Sequence, residues 1–252
     1  MMRSTTGRRR LYLLRHGHVD YFAPGITDFT QVPLTEDGRG QAQRAGAALA
    51  GVAFDHGFYS GLPRTEQTLR LVLGDERSDV PVEAIGQLAE LRGGRVEAKT
   101  PTELAAWLAF SFDDADAEGA SFLPGGELFA DAERRIVDGL ETILHGYAWR
   151  TAILVAHEGV NRILLAHLTG GGLGALSHFE QDLCGINVLD FDVVPSEDGT
   201  GTKVERVILK AVNLTIHDPV KETLPRTSLE HLFGIDFGGA RPPRATLEAD
   251  ED

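Results

Sequence analysis

Residues 151–170 read TAILVAHEGVNRILLAHLTG: an apolar run from Thr151 to Ala156, a polar pair, then residues 159–169 that read as a helix. A continuous apolar run of this length is the mark of a strand covered on both faces. The chain repeats the pattern on either side. RLYLLRHG at 10–17 is a short apolar strand, 10–14, ended by Gly17. Residues 54–59 read as a second short strand, and residues 63–74 read as a helix. Residues 35–51 carry Ala42, Ala45 and Leu49 at helical spacing, with Thr35 as the N-cap. Residues 127–147 form a long amphipathic helix around Leu128, Ala132, Ile136, Leu140, Ile143 and Leu144. Ile186–Val193 and Val204–Val212 are β-rich and joined by a hairpin-type connection at 195–202.

Strands alternating with helices imply an α/β fold: a three-layer sandwich with a mostly parallel central sheet and helices on both faces. Ligands of such sheets sit beyond the carboxyl ends of the strands. Arg15-His16 follows the first strand, Ser60 the second, and His157 the strand 151–156. Three polar clusters at three strand ends are placed to converge on one pocket.

The 252 residues carry a formal net charge of −14, with 42% hydrophobic and 25% charged residues. That balance is ordinary for a globular protein, and the net negative charge argues against nucleic acid as a partner, since binding it needs a basic face. The single cysteine, Cys184, allows neither an internal disulfide nor a thiolate metal cluster, and reads as a small buried residue. No apolar run approaches the roughly 20 residues of a membrane helix, so no membrane partner is expected and the chain is read as cytoplasmic. Residues 1–9 read as a basic tail, 10–238 as the domain, and 239–252, GARPPRATLEADED, as a disordered acidic tail.

The clusters hold particular chemistry. A neutral imidazole is a competent nucleophile toward phosphorus, a role open to His16 beside that of a simple turn residue. Arg15 offers a planar fork to phosphate oxygens, and Gly17 lets the backbone turn and approach a ligand. Arg64 falls in the first turn of a helix, just after Pro63, where free N–H groups favour anions. His157 adds a second imidazole. A departing alkoxide needs a proton, and both Glu90 and Glu97 could give it.

In order, RHG at 15–17, PLTEDGRGQA at 33–42, YSGLPRTEQT at 59–68, LAELRGG at 88–94 and VAHEGVNRILLAHLTG at 155–170 resemble the motifs of the histidine phosphatase, or phosphoglycerate-mutase-like, superfamily. The resemblance spans roughly residues 10–215. It implies that His16 carries the phosphoryl group and that Arg15, Arg64 and His157 complete the phosphate pocket. The backbone N–H of Glu158 is added to that pocket. Glu90, at the Glu of the L-x-E-x-x-x-G pattern, is implied to be the proton donor, and Glu97 a second, non-catalytic Glu. Residues 98–130 are implied to be a cap insertion over the site. No cofactor and no metal are implied.

The sequence departs from the family pattern at three places. His18-Val19 follows the RHG, Phe22 stands where Asn is frequent, and Glu158 replaces the first of two glycines after the second histidine. His18 and Glu158 are expected near the pocket rim. The function expected is hydrolysis of a small phosphorylated metabolite through a phosphohistidine. The alternatives are a phosphoglycerate-type mutase and a non-catalytic phosphate-binding protein. Ser228 to Phe233 is open to two readings, a short helix packing on the core or a stretch that bears on assembly, and the assembly is left open, with a homodimer among the options.

Overall fold

The computed structural model describes residues 6–21, 23–94, 107–197 and 201–232. Six strands form one sheet: β1 (Gly7–Arg15), β2 (His56–Tyr59), β3 (Val82–Ala84), β4 (Thr151–Ala156), β5 (Ile186–Pro195) and β6 (Thr202–Leu214). Their order is β3-β2-β4-β1-β5-β6. β1 and β2 both run parallel to β4, and β3 runs parallel to β2. β5 lies antiparallel to both β1 and β6. Two helices, α1 (Glu36–Ala48) and α2 (Pro63–Leu73), follow β1 and β2. Two more, α3 (Phe129–Gly146) and α4 (Glu158–Leu168), flank β4 in sequence, and the short α5 (Ser228–Leu232) closes the described chain.

Side-chain alternation sorts the core into two layers. Leu11 and Leu13 of β1, with Ala152, Leu154 and Ala156 of β4, join α3 and α4. Leu14, Ile153 and Val155 point the other way, to Ala42 and Ala45 of α1 and Leu69 and Val72 of α2. This is the three-layer sandwich expected. Thr35 caps α1 by accepting from the Gly38 N–H at 3.1 Å. Thr35→Ala is expected to destabilise the chain by about 1 kcal/mol, seen as a lower denaturant midpoint at unchanged slope.

β1 starts at Gly7, three residues earlier than the pattern predicts, so residues 7–9 are not tail. The arginines are strand residues because β5 answers them. Arg8 pairs with Asp192 at 2.7 and 3.0 Å, and Arg10 with Asp190 at 2.7 and 2.8 Å, each directly across the ladder. Arg9 points inward, donates to the Leu144 carbonyl at 2.6 Å, and lies over Trp149. β3 went unpredicted, being only three residues long.

The long helix begins at Phe129 because Glu127 is held outside it by Arg135, at 2.8 and 2.9 Å. Within the expected cap insertion, residues 107–109 are helical and 98–106 lie outside the described residues, as do Glu97, Phe22 and the tail at 239–252. The short helix considered at Ser228 is present. Among the described residues, no helix is long and apolar enough to cross a membrane.

Candidate active site

The register of the sheet builds the site. Arg15 pairs with Ala156 and Tyr59 with Val155, so β1, β4 and β2 end side by side. His16, His157 and Ser60, each one residue past its strand, therefore meet at one edge. The His16 and His157 rings stand edge to face with centroids 5.2 Å apart. Both side chains are buried, as are Arg15 and Arg64.

Hydrogen bonds settle which ring nitrogens carry protons. His16 Nδ1 lies 2.7 Å from the Gly17 carbonyl, which can only accept, so Nδ1 holds the proton and Nε2 keeps its lone pair. For His157 the argument runs through two hydroxyls. Thr65 Oγ1 donates to the Leu62 carbonyl at 2.7 Å, and therefore accepts from Ser60 Oγ at 3.0 Å. Ser60 must then accept from His157 Nε2–H at 2.7 Å. His157 Nδ1 has no hydrogen-bond partner among the described residues.

Both imidazoles titrate well below the usual histidine range. Burial is the main cause, reinforced by the charges of Arg64 and Arg15. His16 is thus neutral, and nucleophilic, at neutral pH. Cys184 does not compete, because burial pushes its thiol up to about 12.

Arg64 sits in the first turn of α2 behind Pro63, as predicted. Nη1 donates to the Phe29 carbonyl at 3.1 Å, and the guanidinium lies over the Tyr21 ring. The contributions of Tyr21 and Phe29 were not foreseen. Gly17 is required for a reason other than a sharp turn. A Cβ there would stand 2.5 Å from the Gly38 carbonyl oxygen, so the strand end can pack against α1 only without a side chain.

Glu90 lies against the first turn of α4. One carboxylate oxygen accepts from the Leu91 N–H at 2.9 Å. A Cβ at Gly159 would meet the same oxygen at 2.8 Å, so the glycine after Glu158 leaves Glu90 its place. Burial raises the Glu90 carboxyl above the usual range, against the pull of the Leu91 N–H and Arg64. A carboxyl so placed keeps its proton to a higher pH than a solvated one.

Glu158 is not a rim residue. It is buried, and its carboxylate reaches Arg15 Nη1 at 3.0 Å and Arg162 Nη2 at 2.8 Å. Its negative charge is met by two guanidinium groups. His18, half-buried, does line the cavity and contacts Thr35 Oγ1 at 2.8 Å.

That cavity holds about 520 Å³ beside Arg15 and His16. Its far wall comes from the C-terminal segment, through His217, Leu224, Arg226 and His231. None of residues 107–130 lines it, so the described part of the expected cap packs elsewhere. Phe112, for example, joins the core beside Phe122 and Phe129.

Known proteins are similar to this chain in sequence and fold. The sequence model of the histidine phosphatase superfamily (branch 1) matches residues 11–194. The adenosylcobalamin/α-ribazole phosphatase of Escherichia coli K12 is 31% identical over 178 residues, covering 69% of this chain and 85% of that protein. A 2,3-bisphosphoglycerate-dependent phosphoglycerate mutase of Beijerinckia indica is 32% identical over 173 residues, covering 58% of this chain and 80% of that protein. The crystal structure of the α-ribazole phosphatase from Shigella flexneri superposes with a TM-score of 0.61 at 27% identity, covering 81% of this chain and 96% of the other.

Proposed function

The chain belongs to the histidine phosphatase superfamily, and on that premise we propose that it hydrolyses a small organic phosphomonoester through a phosphohistidine on His16. One observation carries the reading. Two buried imidazoles of fixed tautomer face each other 5.2 Å apart at adjacent strand ends, with Arg15 and Arg64 acting on both.

In the first step His16 Nε2 attacks phosphorus in line. The bond to the leaving oxygen breaks, and Glu90 gives that oxygen its proton. Arg15, Arg64 and the backbone N–H of Glu158 take the phosphoryl oxygens. In the second step Glu90, now a carboxylate, takes a proton from water as the water oxygen attacks phosphorus. The N–P bond breaks and its electron pair returns to Nε2.

A cavity of about 520 Å³ falls within the range of small-molecule sites, which supports an organic monoester over bare phosphate. The deciding assay is a panel of sugar phosphates, phosphoglycerates, nucleotides and α-ribazole phosphate. Phosphate release from at least one of them, without a bisphosphorylated primer, is expected. The mutase relative gives the second reading a footing: isomerisation of a phosphoglycerate that depends on 2,3-bisphosphoglycerate, with little phosphate released, would establish it. A chain that binds phosphate and turns over nothing would be the binding protein.

The rate follows pH in a defined sense. His16 must be neutral, so kcat/KM falls toward acid through a depressed histidine value. Glu90 must be protonated, so it falls toward alkali through a raised carboxyl value. In Glu90→Gln the alkaline limb is expected to vanish while the acid limb stays. Substrate ionisation is common to both proteins, so the difference isolates Glu90.

A further inference from the structure

Arg15 is held by one corner of its guanidinium. Nη1 donates to the Gln181 carbonyl at 2.7 Å and to Ser228 Oγ, and pairs with Glu158 Oε2 at 3.0 Å. Ser228 Oγ in turn donates to Glu158 Oε2 at 3.1 Å. Nε of Arg15 has no hydrogen-bond partner among the described residues. The planar fork thus keeps its Nε–Nη2 edge for a ligand, the edge that grips two phosphate oxygens at once.

The contacts close a circuit. Glu158 Oε1 takes Arg162 at 2.8 and 3.2 Å, Arg162 reaches Glu180 at 2.9 Å, and Glu180 accepts from the Ser228 N–H at 2.8 Å. Two arginines and two glutamates balance in charge. Glu158 is therefore engaged within the ring.

The geometry points to Glu158 and Ser228 as positioning residues that aim Arg15 at the phosphoryl group, and so makes the C-terminal segment a working part of the phosphate site. The inference rests on the phosphatase reading of the same pocket. It has a competitor of opposite sign. A carboxylate beside an anion site, acting by Coulomb repulsion alone, weakens phosphate binding, and neutralising it tightens binding. A positioning carboxylate does the reverse, because losing it frees Arg15 to other rotamers.

Direct titration of the full chain with inorganic phosphate separates the two. Glu158→Gln and Ser228→Ala are each expected to weaken phosphate binding about tenfold, the scale of one lost hydrogen bond to a charged group. Ser228→Thr, which keeps the hydroxyl, is expected to stay within about twofold of wild type. KM should rise with the phosphate dissociation constant. Unchanged or tighter phosphate binding in Ser228→Ala overturns the assignment, even if the thermal midpoint falls, since a purely structural role moves only the midpoint. Should Glu158→Gln fail to fold, the Ser228→Ala and Ser228→Thr pair decides alone. A wild-type chain that binds phosphate yet hydrolyses nothing contradicts the catalytic reading and leaves this titration interpretable.

Discussion

His16→Ala is expected to lower kcat/KM on the order of 10⁴-fold or more, because it removes the only nucleophile the two-step route uses. The pocket should survive. His16 sits at a strand end, and its backbone N–H still donates to the Ala156 carbonyl at 3.1 Å. Arg15, Arg64 and His157 keep their partners, so inorganic phosphate should bind within a few-fold of wild type. Loss of turnover with binding retained separates a missing nucleophile from a collapsed site. Substantial turnover in His16→Ala would mean that water attacks directly and that the imidazole only binds.

Glu90→Gln carries the second large effect, and its size depends on the leaving group. An alkyl phosphate releases a strongly basic alkoxide, so losing the proton donor should cost about 10²–10³-fold in rate. p-Nitrophenyl phosphate releases a stable phenolate and needs little help in the first step. The second step still needs a base for water. The variant should then show a burst of nitrophenolate followed by slow turnover, with the phosphohistidine accumulating. Glutamine keeps the size of the side chain beside Gly159, where space is tight. Equal losses for both leaving groups, with no burst, would remove Glu90 from the proton-donor role.

Much of this site was legible in the sequence, because each group is placed by local structure. A strand that ends in Arg15-His16 can present them only at its carboxyl edge, and Pro63 fixes where α2 starts and so where Arg64 points. The choice of tautomer was not legible, since it depends on the Ser60–Thr65–Leu62 chain that reaches His157 from another strand. Nor was the C-terminal wall. Residues 217–232 are mostly irregular, with no period to read, and their role exists only through contacts with Arg15, Glu158 and Glu180. Arg8 and Arg9 look like a tail because their partners, Asp192 and the Leu144 carbonyl, lie far along the chain. The alternation Asp190-Phe191-Asp192 in a β-rich stretch was the one available signal. Glu158 misled for a related reason: a charge in a phosphate motif looks adverse until Arg162, one helical turn on, is seen to share it.

The account stands on a covalent intermediate, and chemical trapping reads it directly. Wild-type protein mixed with an excess of a turned-over monoester, quenched in alkaline denaturant and mapped by mass spectrometry, should carry one phosphoryl group on the His16 peptide. That group should be lost on brief acid treatment and be absent from His16→Ala. An acid-stable label on Ser60 or any other hydroxyl, or hydrolysis at full rate with His16 never modified, would contradict it.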